Sequence, residues 1–192
     1  MSKKSHEQYK SVLDTCRKIF KNKTKDYGDS WRILRLPSIT DQIYIKANRI
    51  RSIQEAGINK VNESIEDGFY AMINYSVIGI IQYDLSPNKI DLDIDSLAMY
   101  TNVLKDTAIL FDKKNHDYGE AWRQMRISSM VDLILMKLLR IKQIEDNDGE
   151  TIISEGVDAS YQDIINYSIF CLILMSEKKL LKTVKKQSND DK

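Results

Sequence analysis

A chain of 192 residues with 42% hydrophobic and 30% charged residues has the size and composition of one folded domain, which excludes a disordered polypeptide. Its 29 Lys and Arg against 28 Asp and Glu leave a net charge of +1, so no surface built to coat duplex nucleic acid is expected, although one small anion remains a plausible partner. Cys16 and Cys171 stand alone in helical patterns, which excludes a disulfide framework and a paired-cysteine zinc site.

The opening MSKKSHEQYK is polar and lacks a signal-peptide core. No apolar run reaches the roughly 18 residues of a membrane span, so a cytoplasmic protein without a membrane partner is expected. Val12, Cys16, Ile19 and Phe20 recur at helical spacing and predict a first helix over about 5–24. The loop KDYGDSWR follows, and then a second helix opening at Ser38. Ser38 with Asp41 three residues on reads as an N-terminal capping box, and a metal-ligand role for Asp41 is the weaker alternative. Phe69, Ile73, Val77 and Ile80 mark a third helix over about 62–83. The segment 84–95, with Pro87 and alternating Asp, is read as a linker. The same order then returns: a helix at about 96–115, the loop HDYGEAWR, a helix from Ser129 with Asp132 in its first turn, and a helix at about 154–180. Residues 182–192 form a charged tail expected to fray.

This recurrence is an internal repeat. At a displacement of 91 residues Tyr9, Phe20, Asp26, Tyr27, Gly28, Trp31, Arg32, Asp41, Lys46 and Arg49 meet identical residues, from Tyr100 and Phe111 to Lys137 and Arg140. One extra residue in a connecting loop moves the displacement to 92, where Glu63, Ile73, Asn74 and Tyr75 meet Glu155, Ile165, Asn166 and Tyr167. Two copies are too few for a solenoid. The expected architecture is all-α: tandem three-helix repeats over 1–83 and 96–181, packed as a pseudo-twofold bundle with one shared core.

Charges placed inside the apolar stripes are the most informative feature. At 100° per residue, Lys46 falls among Ile39, Ile43 and Ile50 with Arg49 at the edge, and Lys137 and Arg140 repeat this. On the third helix Glu66 projects into the stripe with Glu63 and Asn74 flanking; Asp158, Glu155 and Asn166 are the counterparts. Asp163 adds a carboxylate where the first copy has Ala71. Buried charges must meet one another or a ligand. One reading is therefore a Lys/Arg–carboxylate network that fixes helix packing. The other is a pocket in which Glu63, Glu66, Glu155, Asp158 and Asp163 hold Mg²⁺ (or Mn²⁺) while Lys46, Arg49, Lys137 and Arg140 hold phosphate oxygens, with Asn74 and Asn166 beside them. In the loops a base has Tyr27, Trp31, Tyr118 or Trp122 to stack on, although the favoured reading of each Trp is a core anchor. His6 and His116 occupy no shared position, which argues against a His-centred mechanism.

The order DYG-x-x-W, Asp-x4-Lys-x-x-Arg on one helix, and an acidic segment ending in Asn-Tyr resembles the DUF1599 family, nucleotide modification associated domain 1. The likeness runs over about Tyr9–Ile81 and Tyr100–Leu174. It implies an all-helical domain with a role around nucleotides. A looser resemblance is to the MazG-like all-α nucleoside triphosphate pyrophosphohydrolases, whose ExxE and ExxD motifs bind Mg²⁺. This chain has Asp41-x4-Lys46-x-x-Arg49 and its repeat where ExxE stands in that class. The leading expectation is a Mg²⁺-dependent nucleotide hydrolase in which Glu155 or Asp158 holds the attacking water. The alternatives are a non-catalytic nucleotide-binding or interaction module associated with nucleotide or DNA modification, and a purely structural pseudo-dimer. The assembly is expected to be a monomeric pseudo-dimer or a homodimer.

Overall fold

The computed structural model of the chain describes residues 3–85, 94–147, 149–150 and 156–190, with side chains through Leu181. Among these residues there are six helices and no strand: α1 (Lys3–Tyr27), α2 (Leu36–Ala56), α3 (Ile65–Asp84), α4 (Ser96–Tyr118), α5 (Ile127–Asp146) and α6 (Val157–Asp190). Short 3₁₀ turns, Ser30–Ile33 and Ala121–Gln124, precede α2 and α5. No helix among the described residues is long and apolar enough to cross a membrane.

The helices pair across a pseudo-twofold axis. α3 and α6 form the centre, α2 and α5 cover one face, and α1 and α4 lie on the other. The centre is buried almost all round: Phe69, Met72, Ile73, Val77, Ile78, Ile80 and Ile81 of α3 leave no polar face over that stretch. The outer helices are amphipathic and bury single stripes, such as Ile39, Ile43, Ala47 and Ile50 of α2.

Reciprocal contacts show that the two halves meet as a symmetric dimer would, with residue i of one touching j of the other and the reverse. Asp41 pairs with Lys142 at 2.5 Å, and the equivalent Asp132 pairs with Arg51 at 3.8 Å. The Tyr9 hydroxyl donates to Asn166 Oδ1 (2.8 Å), and the Tyr100 hydroxyl donates to Asn74 Oδ1 (2.9 Å). Tyr9 stacks on Phe111 and Phe20 on Tyr100, each with centroids 4.1 Å apart. The first helix of each copy thus completes the core of the other. Both cysteines are buried, and burial pushes the Cys16 thiol up to about 12, so neither is a reactive thiolate.

Three boundaries differ from those expected. α2 begins at Leu36 and α5 at Ile127, so Ser38 and Ser129 lie inside the first turn and cap nothing. Pro37, with fixed φ and no N–H to satisfy, suits the first turn of α2, and α5 begins at the equivalent Ile127 with Ser128 in its place. The capping box of this fold is on α3, where Ser64 accepts from the Asp67 N–H (3.0 Å) and Asp67 accepts from the Ser64 N–H (3.2 Å). α6 continues to Asp190 through the expected tail, where no Gly or Pro interrupts it. Pro87 and most of the linker, 86–93, lie outside the described residues.

A polar network unique to one end joins α2, α5 and α6. Thr40 Oγ1 lies 2.6 Å from Glu145 Oε1 and 2.7 Å from the Tyr161 hydroxyl. Burial is the main cause of a raised Glu145 pKa, with the Thr40 hydrogen bond opposing it. A carboxyl whose folded pKa is raised stabilises the fold below the unfolded value, and that contribution is lost as pH rises through the folded value. Glu145→Gln is therefore expected to be at least as stable as the parent at pH 7. The difference in thermal midpoint between the two proteins is expected to shrink as pH falls towards 4.5. A difference that grows on acidification would contradict this account.

Candidate nucleotide-binding cleft

In each copy the end of the first helix, the Asp-Tyr-Gly turn and the middle of the third helix enclose a cleft. Gly28 and Gly119 take left-handed backbone (φ 63° and 58°) and close the preceding helix, their N–H groups donating to the Thr24 and Asn115 carbonyls at 2.8 and 3.0 Å. The chain then turns into the 3₁₀ segment, which presses Trp31 or Trp122 inward. In the second copy one further residue is left-handed: Glu120, at φ 60°, is the one non-glycine with positive φ among the described residues. Its carboxylate is held 2.9 Å from Arg123 Nε. Asp29, the equivalent residue, sits at φ −92°.

The second-copy cleft has a volume of about 370 Å³, within the range of small-ligand pockets. Phe111, Tyr118, Trp122, Tyr167 and Phe170 form its walls, with Lys114, Asn115, Asp163 and Asn166 as polar groups. Its first-copy counterpart, about 260 Å³, has Phe20, Tyr27, Trp31 and Tyr75 with Lys23, Thr24 and Asn74. Four replacements separate their linings: Asn115 stands where the first copy has Thr24, Ala121 where it has Ser30, Asp163 where it has Ala71, and Phe170 where it has Ile78.

Burial opposes ionisation of Asp163, but Lys114 and Lys137, each 2.8 Å from one carboxylate oxygen, outweigh it and hold the carboxyl below its ordinary value. Asp163 is therefore an anion at neutral pH, and the Lys114 side chain, 48% exposed, lies at the cleft rim.

The two amides are oriented from within the protein. Trp122 Nε1 donates to Asn115 Oδ1 (3.2 Å), and the Tyr9 hydroxyl donates to Asn166 Oδ1. Burial pushes the Tyr9 phenol far above its ordinary pKa, so it stays protonated and remains a donor. Asn115 Nδ2 is buried without a hydrogen-bond partner, and Asn166 Nδ2 donates to no described residue. In the first copy Asn74 is satisfied at both ends, its Nδ2 donating to the Tyr70 carbonyl at 2.7 Å.

The remaining candidate residues are placed as follows. Lys46 pairs with Glu63 at 3.1 Å, and Arg49 Nη2 donates to the Glu63 carbonyl at 2.6 Å. Glu66 is ion-paired with Lys179 of α6. Arg140 lies half-buried on α5 and is also engaged. Asp158 was expected inside the apolar stripe but is exposed. Val157, Tyr161, Ile164, Ile165 and Ile169 form the buried face of α6 and turn Asp158 outward. Glu155 lies outside the described residues. Among the described residues no three Asp, Glu, His or Cys gather into a group that could hold a metal ion, and Glu63, Glu66 and Asp163 are each balanced by a cation of the chain. The carboxylates described thus do not fit a resident Mg²⁺ site.

Trp31 and Trp122 are core anchors, 9% and 7% exposed. Trp122 stacks on Phe170 (centroids 4.4 Å apart) and carries the Arg123 guanidinium 4.4 Å from its ring centroid. The aromatic rings left open are Tyr27 and Tyr118, 61% and 73% exposed. Lys114, Asn115 and Tyr167 were not singled out from sequence. The signals were available: Lys23 matches Lys114 at the same displacement of 91, and Tyr75 matches Tyr167 at 92.

The fold and its paired clefts define an all-helical tandem-repeat protein with one aromatic–amide cleft per repeat. The chain belongs to the nucleotide modification associated domain 1 family (DUF1599), whose profile matches residues 23–83 and 114–175. The matched segments begin at the equivalent lysines Lys23 and Lys114 of the two cleft rims. No curated protein and no solved structure matches the chain.

Proposed function

We propose that this chain is a nucleotide-binding module and that its site is the second-copy cleft. The observation that carries the reading is Asn115, a buried amide donor without a partner in a cleft walled by aromatic rings. An orphaned buried donor costs about 1–3 kcal/mol, and a ligand acceptor relieves that cost. The base lies against Tyr118 and the aromatic wall, and Lys114 exchanges part of its contact with Asp163 for a phosphate oxygen at the rim. Lys137, only 14% exposed, stays on Asp163 and holds it in place. Binding is favoured over metal-dependent hydrolysis because Glu63, Glu66 and Asp163 are already paired with lysines and arginine and Asp158 stands apart from them on the exposed face.

Calorimetric titration of the full chain with ribo- and deoxyribonucleoside mono- and triphosphates, with and without Mg²⁺, tests the reading. Saturable binding is expected, weakened about tenfold by Tyr118→Ala, given the usual worth of one base–aromatic stack. Lys114→Met is expected to weaken binding and to flatten its salt dependence. Binding to no nucleotide, or binding indifferent to Tyr118→Ala but lost in Lys46→Met, would contradict it. Pyrophosphate release in the Mg²⁺ samples would favour the hydrolase instead.

A further inference from the structure

We infer that the first-copy cleft is a second ligand site in the same chain, weaker than the second-copy cleft and more dependent on the phosphate of its ligand. The inference rests on the nucleotide-binding reading and extends it to the cleft that reading leaves out. The first-copy lining shares Phe20, Lys23, Tyr27, Trp31, Asn74 and Tyr75 with its counterpart, each identical to its equivalent at the displacements of 91 and 92. Phe20, Trp31 and Asn74 are buried, as are their equivalents, so packing accounts for their recurrence. Packing does not account for Lys23 and Tyr27. Both are exposed, and so are Lys114 and Tyr118. An exposed cation and an exposed ring at the same places on both clefts point to a shared ligand-facing role.

What differs is the charge that meets the cation. In the second copy Asp163 holds Lys114 at 2.8 Å, so an incoming phosphate must displace that contact against the repulsion of a carboxylate. In the first copy Ala71 stands in its place, and Lys23 has no ion pair among the described residues. Asp29 accepts from Trp31 Nε1 at 3.2 Å and is not part of the lining. Thr24 and Ser30 bring hydroxyl donors to the lining where the second copy has Asn115 and Ala121. The amide adds nothing, because Asn74 is engaged by the Tyr100 hydroxyl and the Tyr70 carbonyl. The volume of about 260 Å³ takes a base and leaves sugar and phosphate at the rim beside Lys23. With no orphaned donor to satisfy, this cleft fills after its counterpart and draws more of its affinity from the phosphate.

The test is equilibrium dialysis of the full chain against AMP, GMP, CMP and UMP and the four matching nucleosides. At least one monophosphate is expected to bind twice per chain, and removal of its phosphate to weaken the lower-affinity site more than the other. Tyr27→Ala and Lys23→Met alter exposed side chains, and each is expected to weaken the lower-affinity site about tenfold while leaving the other unchanged. Ala71→Asp supplies the carboxylate of the second copy and is expected to weaken the same site; should it fail to fold by circular dichroism, Lys23→Met carries the test of charge. A single site that answers to Tyr118→Ala and ignores Tyr27→Ala would overturn this inference and leave the proposed function standing. A single site that answers to Tyr27→Ala alone would overturn the second-copy site and leave this one. Equal losses at two sites on removal of the phosphate would overturn the phosphate dependence. No binding of any monophosphate would overturn both readings.

Discussion

Arg123→Ala is expected to lower the unfolding free energy by about 2–3 kcal/mol, read from the denaturant midpoint. The estimate sits below the usual cost of breaking a buried ion pair because the partners retain some solvent access. Arg123 binds three separate elements. Its guanidinium pairs with Glu120 (2.9 Å) in the turn and Glu177 (3.2 Å) on α6, and donates to Ser5 (2.5 Å) and Gln8 (2.8 Å) on α1. It also covers the face of Trp122. Alanine leaves buried Ser5 without this donor, uncovers the Trp122 face and releases the charge that helps hold Glu120 in its left-handed conformation. Arg123→Lys is expected to recover only part of the loss, since one ammonium cannot span the same set of partners. A change below about 0.5 kcal/mol, the size of an ordinary surface ion pair, would show that the cluster does not hold α1 in place.

Gly79→Ala is the second large effect, expected to cost about 2 kcal/mol even though alanine is the better helix former by about 1 kcal/mol. A Cβ at residue 79 would stand 2.8 Å from two carbons of the Tyr161 ring, well inside contact distance. Tyr161 has no easy retreat: it is fully buried and its hydroxyl is hydrogen-bonded with Thr40 at 2.7 Å. The close approach belongs to the central α3–α6 pair, so the strain spreads into the core. The double variant Gly79→Ala/Tyr161→Leu is expected to be less destabilised than the sum of its single changes, because the clash is a pairwise property. Strict additivity in a double-mutant cycle would contradict this.

Much of the architecture was legible because it is written in local periodicity and in the repeat. The 3.6-residue stripes gave six helices, the displacement of 91 gave the pseudo-twofold relation, and the Asp-Tyr-Gly turns mark helix ends where only an unhindered residue fits left-handed backbone. The helix starts were less legible: a Ser-x-x-Asp pattern at Ser38 looks like the box at Ser64, yet α2 and α5 both begin two residues before the serine. The site was half legible. The sequence marks Tyr118 and Trp122 as rings for a base and Asn166 as an amide beside the phosphate, but it assigns Asp163 to a metal set. Their actual company depends on crossings that sequence spacing does not encode. Tyr9 fixes Asn166 from 157 residues away, and α1 reaches it only because each first helix packs on the opposite copy. Lys137 faces Asp163 within the second copy, where α5 packs on α6, whereas the equivalent Lys46 meets Glu63 because residue 71 is alanine.

The most direct test of the central claim is a ¹H–¹⁵N spectrum of the backbone and side-chain amides during titration with the tightest-binding nucleotide of the panel. The account predicts that the NH₂ signals of Asn115 and Asn166 move together and saturate with the calorimetric affinity. The Asn74 NH₂, already bonded to the Tyr70 carbonyl, is expected to stay in place. Saturable changes centred instead on Lys46, Arg49 and Glu63, with Asn115 and Asn166 unmoved, would place the nucleotide elsewhere and contradict it.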